Sequence, residues 1–217
     1  MITVSGALEN LVRQKPFIEQ ALADGILNLS AFSRQIKPEL EKVLKKQVTE
    51  ASILMSLKRL IPYLEVSVHR KIEKAAKGIG DIIVRSNLCD FTYKNSETLI
   101  DRQGELILLF RNEKEVFYTI SGGVFETTIV ISAGFADKIH EIFRDENLIA
   151  STPSISSITL RLPKDNVKIP GLYYYVFKQI AWEGISILEA ISTTNELTII
   201  LKDQDVDRVF SVLKKSN

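Results

Sequence analysis

Cysteine, histidine and tryptophan are scarce in this chain. Its 217 residues include one Cys, two His and one Trp. A lone cysteine, Cys89, excludes an intrachain disulfide and fits a reducing compartment, with the cytoplasm as the default. Cys89 reads as a small buried apolar residue with no catalytic partner motif. Neither His69 nor His140 has metal-ligand spacing around it. Nucleophile elbows, Walker A loops, dinucleotide fingerprints and paired-histidine zinc motifs are all missing. Gly78-Ile79-Gly80 and Gly122-Gly123 are too short to cradle a phosphate. These absences argue against an enzyme and imply no cofactor or metal.

Long apolar runs are missing too. None approaches the ~20 residues of a membrane span. The start, MITVSGALENL, lacks the basic and apolar regions of a signal peptide. No excess of one charge is present, since the net charge is +1. That is not the balance of a strongly basic nucleic-acid binder. What remains is 45% hydrophobic and 25% charged, an ordinary globular composition for one or two domains. The charge is uneven, however. Residues 1–77 hold 13 Lys/Arg and 8 Asp/Glu, and the remainder holds 15 and 19. This suits a basic N-terminal module joined to a mildly acidic one.

The first 77 residues read as helical. Pro16 to Ala23 forms one helix, stopped by Gly25. Leu29 to Ile36 forms a short second one, capped by Asn28 or Ser30. Pro38 suits a first helical position and opens a third, ELEKVLKK. The clearest helix is Thr49 to Leu64. Its Ile53, Leu54, Leu57, Leu60, Ile61 and Leu64 share one face of a 3.6-residue period. Residues 66–77 continue as a further helix or a basic connector. Gly78 and Gly80 mark a boundary.

Short β-branched runs follow: DIIVR, LILLF, EVFYTI and TTIVIS, separated by turn residues. A helix is expected from about Ala133 to Arg144, then a strand or connector at 147–152. Ile158, Leu160 and Leu162 alternate with polar residues as a half-buried strand does. Leu172, Val176 and Ile180 form a helical stripe that Gly184 ends. Ile185 to Thr193 and Glu196 to Leu201 are strands around a Thr194-Asn195 turn. Val206, Val209, Phe210 and Leu213 mark a last helix, with Asp203 near its start.

The order strand, Pro-Gly turn, helix, hairpin, helix over Ile158–Leu213, with I-P-G and W-E-G-I-S-I at its turns, resembles the ACT domain. Such domains are regulatory modules that usually bind amino acids. The whole chain resembles a family of uncharacterised regulators of amino-acid metabolism. The resemblance is carried by PFIEQALADGILNLSAFSRQIKPELEKVL, TEASILMSLKRL, the SNL of Ser86–Leu88 and WEGISILEAISTTNELT. It implies an α+β fold: an N-terminal helical, helix-turn-helix-like domain (1–77) and two ferredoxin-like βαββαβ ACT units (78–152 and 153–217). The second unit lacks its fourth strand, so the two are expected to share or interleave strands, as aspartokinase regulatory regions do. A homodimer is implied.

The resemblance also places a ligand site. It lies at Lys168, Ile169, Pro170, Gly171 and Leu172, where a helix start offers backbone N–H groups to a carboxylate, and at Ser186 and Ile187. Two departures stand out. Many aspartokinase-type units have Asn where Ser186 stands, and an acidic residue before Pro-Gly where this chain has Lys168-Ile169. A Lys there can pair with a ligand carboxylate, or mark a lost amine site. The same turn also reads simply as a Pro-initiated helix. On Thr49–Leu64, Ser52, Ser56, Lys58 and Arg59 are candidate DNA contacts. The same face equally suits dimerisation or docking onto an enzyme. The function expected is amino-acid sensing, with DNA-binding regulation or an enzyme's regulatory subunit as alternatives.

Overall fold

The structure is a computed structural model that describes residues 3–64, 72, 74–113 and 115–215. His69 and most of the 66–77 segment lie outside the described residues. The chain divides into two compact units, Met1–Lys74 and Ala75–Asn217.

The first unit has four described helices: α1 (Val4–Arg13), α2 (Pro16–Ala23), α3 (Leu29–Leu44) and α4 (Glu50–Leu64). Helix α1 was not anticipated. Thr3 caps it by accepting from the Gly6 amide, and it buries Ala7, Leu8, Leu11 and Val12. Gly25, with φ of 69°, ends α2. The Ile26 amide closes back on the Ala21 carbonyl there, satisfying one of the helix's terminal acceptors. Asn28 is the cap of α3, accepting from the Ala31 amide.

Two expectations fail in this unit. Pro38 does not start a new helix but lies inside α3, which runs unbroken for 16 residues. Its missing N–H falls on the exposed side, while Phe32, Ile36 and Leu40 form one buried stripe. Packing of that stripe outweighs the local cost of proline. Consequently the short helix expected at Leu29 to Ile36 and the one after it are a single helix, one residue longer than α4. Thr49 caps it, and Ile53, Leu57, Leu60 and Leu64 are buried along it.

The second unit is built on one six-stranded antiparallel sheet, ordered β2-β3-β1-β4-β6-β5. Its elements are β1 (Ile82–Lys94), α5 (Leu99–Leu109), β2 (Tyr118–Gly122), β3 (Glu126–Ser132), α6 (Ala136–Ile142), β4 (Leu148–Arg161), α7 (Leu172–Trp182), β5 (Glu189–Ser192), β6 (Glu196–Lys202) and α8 (Val206–Lys215). Strand-helix-strand-strand-helix thus occurs twice. The first strand of each half is long, 13 residues in β1 and 14 in β4. The two pair with each other at the centre of the sheet. Each therefore serves the other half as its fourth strand, and the edge that seemed bare beside β4 is filled by β1. Strand β4 runs straight through positions 152 and 153 and belongs to both halves.

The LILLF segment is not a strand. It closes α5 and continues into a 3-10 turn at Phe110–Asn112. Leu99, Leu106 and Phe110 are buried, whereas Ile107, Leu108 and Leu109 face solvent. A five-residue apolar run is too short to reveal its period, and here helical spacing prevails. Strand β5 is also shorter than expected, beginning at Glu189 rather than Ile185.

Helices cover one face of the sheet. In the first half Phe91, Tyr93, Ile129 and Ile131 pack with Leu106, Ile139 and Phe143. In the second, Ile158, Leu160, Ile199 and Leu201 pack with Val176, Ile180, Val209 and Leu213. On the opposite face Leu88, Val130, Ile155 and Ile200 form a small buried cluster.

Candidate functional site

The loop from β4 to α7 is held from below. Its Leu162 amide donates to the Asn195 carbonyl at 2.7 Å. Asn166, only 7% exposed, donates through Nδ2 to the carbonyls of Pro163 (2.8 Å) and Thr194 (2.7 Å). A buried amide with both N–H groups engaged fixes the loop onto the β5–β6 turn. Pro170 and Gly171 then turn the chain into α7. Gly171 has φ of 90°, a conformation that favours glycine. No side chain caps this helix start. Its first-turn amides therefore have no intrahelical acceptor.

Lys168 and Pro170 are exposed, Ile169 and Gly171 half-buried. Among the described residues Lys168 has no ion pair. Leu172 is a core residue at 2% exposure, so only its backbone is available. Ser186 is exposed and Ile187 half-buried. Helix α7 separates the two groups, spanning roughly 16 Å from its Pro-Gly end to its Gly184 end. Ser186 follows the far end, whereas Thr194 and Asn195 sit beside the Pro-Gly loop. One chain does not bring the two groups together.

The first half shows what a helix start does in this fold. At the beginning of α5, Glu146 accepts from the hydroxyls of Ser96 (2.6 Å) and Thr98 (2.7 Å). Ser96 Oγ also accepts from the Leu99 amide. A carboxylate thus stands beside the α5 start, held there by side-chain hydroxyls. This sits well with the preference of helix N-termini for anions.

On α4, Ser52, Lys58 and Arg59 are exposed. Ser56 is half-buried, and its hydroxyl accepts from Ser5 Oγ at 3.2 Å. Ser52, Ser56 and Arg59 share one stripe, and Lys58 lies about a third of a turn away. Met55 and Tyr63 are exposed on the same helix, at 51% and 75%.

Several polar residues escaped sequence reasoning. Burial holds the Asp90 carboxyl above its ordinary range, opposed by hydrogen bonds from Thr152. Burial also raises Glu189, opposed by the Ser121 hydroxyl and reinforced by the Asp90 carboxylate. Cys89, buried as its sequence reading expected, has its thiol pushed up to about 11 by burial. An open cavity of about 360 Å³ is lined by Asp81, Ile83, Thr159, Arg161, Asn195 and Glu196. Their only sequence signal was strand alternation, which puts Thr159 and Arg161 on the side away from Ile158 and Leu160. Among the described residues no cluster of three or more His, Cys, Asp or Glu is placed to hold a metal ion. No described helix is long and apolar enough to cross a membrane.

No protein-family model matches the chain, and no curated protein matches it. Solved structures do. Aspartate kinase from Clostridium acetobutylicum is similar at a TM-score of 0.53 and 18% identity, over 64% of this chain and 34% of that one. Aspartate kinase from Synechocystis gives 0.54 and 11%, over 65% and 27%. The regulatory subunit of aspartate kinase from Thermus thermophilus gives 0.50 and 7%, over 64% of this chain and 97% of the subunit. The chain spans about a third of the whole kinases and nearly all of the regulatory subunit. It shares its mixed α/β, antiparallel-sheet fold with aspartate kinase regulatory chains.

Proposed function

We propose that this chain is a regulatory protein of amino-acid metabolism that senses an amino acid through ACT-like units and is not itself an enzyme. The domains we assign are a helical, helix-turn-helix-like one (1–77) and two ACT-like units (78–152 and 153–217), with β1 and β4 shared. The observation that carries the reading is the Glu146 carboxylate seated at the start of α5. A free amino acid presents the same carboxylate to the uncapped start of α7, at Lys168–Leu172. Its ammonium group meets Ser186 and Ile187 of a second copy, because one chain keeps those residues at the far end of α7. The protein then works as a homodimer. Cys89, buried and reduced, suits the cytoplasm. Titration calorimetry of the folded chain against the twenty amino acids tests this. Heat of binding at or below millimolar ligand supports it, and no binding removes it.

A second reading concerns α4. Lys58 and Arg59 are exposed, with no carboxylate paired to either among the described residues. Unpaired cations on a helix suit phosphate contact. Retention of genomic DNA fragments, falling steeply with salt and weakened by Lys58→Gln and Arg59→Gln, supports DNA-binding regulation. The exposed Met55 and Tyr63 favour docking onto a biosynthetic enzyme instead. Co-purification of such an enzyme without DNA affinity supports that role.

A further inference from the structure

The cavity on the helix-free face of the sheet has a charge pattern of its own. Arg161 lies on β4 with Asp81 on the β1 side and Glu196 on the β6 side. Arg161 and Glu196 are direct cross-strand partners, and the Arg161 amide donates to the Asp81 carbonyl. Adjacent strands are ~4.8 Å apart, so an acid–base–acid row crosses three neighbouring strands. Opposite charges in such positions ordinarily close into ion pairs. Here the Arg161 side chain makes no ion pair and no hydrogen bond with either acid among the described residues. Three charges of both signs therefore face an opening of about 360 Å³ without neutralising one another.

The rest of the lining is firm. Thr159 on the floor is hydrogen-bonded to Thr198 at 2.8 Å. Asn195 on the rim belongs to the turn that Asn166 fastens. Ile83 supplies an apolar wall. The Arg161 stem is supported by Gly80, where an added Cβ would lie 3.5 Å from its Cβ and Cδ.

We infer that this cavity binds a small zwitterion, whose carboxylate pairs with Arg161 and whose ammonium group lies between Asp81 and Glu196. A guanidinium takes a carboxylate with two parallel hydrogen bonds. Two acids against one base leave the site with one surplus negative charge. The ligand class is therefore an α-amino acid of net charge zero or +1, and anionic amino acids are excluded by repulsion. Asp81 begins β1, where the Gly80 amide donates to the Arg161 carbonyl at 2.8 Å. An occupant that clamps Asp81 to Glu196 stiffens the point at which the chain enters the sheet.

This inference takes its ligand class from the amino-acid-sensing reading but places the site away from the Pro170-Gly171 turn. The test is calorimetry of the full chain with L-lysine, L-leucine and L-glutamate. It is repeated on Arg161→Gln, the isosteric Glu196→Gln, and Lys168→Gln at the turn. All three side chains are exposed, and thermal melts check that folding is kept. The expected result is a binding event for lysine or leucine but not glutamate that Arg161→Gln weakens at least tenfold, separate from any event at the turn that Lys168→Gln removes. Glu196→Gln is expected to weaken lysine more than leucine. Unchanged affinity in both Arg161→Gln and Glu196→Gln overturns the cavity. If Lys168→Gln alone abolishes binding, the cavity falls while amino-acid sensing stands. If no amino acid binds the intact chain, both fall.

Discussion

Asn87 and Ser154 hold the same place in the two halves of the sheet, and both have left-handed backbone, with φ of 60° and 57°. Each directly precedes one member of the central cross-strand pair, Leu88 and Ile155. The register of β1 against β4 shifts on both sides of Leu88. Such irregularities sharpen the local twist. The consequence is visible at the edges. In a flat sheet β2 and β5 would stand about 24 Å apart. Yet Phe117, just before β2, and Ile191 of β5 both pack against the Leu88, Val130, Ile155 and Ile200 cluster. The Ser121 hydroxyl of β2 also meets the Glu189 carboxyl of β5, so the sheet is curled round that cluster. Equivalent hydroxyl pairs, Thr92 with Thr128 and Thr159 with Thr198, stand on either side of it.

A first prediction follows from that backbone. A left-handed conformation costs a non-glycine residue ~1–2 kcal/mol, less for Asn. Ser154 and Asn87 are exposed, so little packing is lost on replacement. Ser154→Gly is expected to raise stability by roughly 0.5 kcal/mol, since relief of strain exceeds glycine's unfolded-state entropy. Asn87→Gly gains less. Ser154→Val is expected to lose ~1–2 kcal/mol, because a β-branched residue tolerates this region worst. Urea denaturation of the three variants measures the order.

Pro38 gives a second. It is exposed inside α3 and deprives the Arg34 carbonyl of its helical partner. Pro38→Ala restores that bond and touches no buried contact. Stability is expected to rise by about 1 kcal/mol, read as a higher denaturant midpoint at unchanged slope. A loss of stability would mean that the proline shapes α3 in a way its packing requires.

A third concerns Cys89, which is 4% exposed and whose thiol pKa is about 11. At pH 8 only about one thiol in a thousand is ionised, and the thiolate is the reactive form. A water-soluble thiol reagent is expected to leave the native protein unlabelled and to modify it fully in denaturant. Rapid labelling under native conditions would contradict the burial of β1 beneath α6.

The parts legible in the sequence were those with a local period. Leu172, Val176 and Ile180 on α7, and Ile53, Leu57, Leu60 and Leu64 on α4, are spaced for one helical face and are buried as such. Leu106–Phe110 carried no such period and was misread. Strand sharing was beyond local reading altogether. That β1 completes the half containing β4 depends on pairings such as Ile83 with Thr159, 76 positions apart. The Pro170-Gly171 turn was readable because its φ demands glycine. Its distance from Ser186 was not, since it depends on which way β5 returns. The Asp81, Arg161 and Glu196 row needed three strands in register before it existed.

The last prediction is a pH dependence seated at Glu189 and Asp90. Both carboxyls are raised above their ordinary range, by burial in the first place. One Glu189 oxygen, Oε2, is buried with no hydrogen-bond partner among the described residues. A raised folded-state pKa means that the folded protein binds more protons than the unfolded chain between the ordinary carboxyl range, near 4, and the raised values. Stability then falls as pH climbs through that window and stays lowered above it. Glu189→Gln cannot ionise, so its melting temperature is expected to exceed the parent's at pH 7 and to converge with it near pH 4. Asp90→Asn is expected to gain less, because Thr152 donates to the ionised Asp90 Oδ1 at 2.8 Å. Thermal melts from pH 4 to 8 on the parent and both variants supply the comparison. A parent whose stability rises steadily across that range, with Glu189→Gln running parallel to it, would show that Glu189 is hydrated and ionises freely on the curled face.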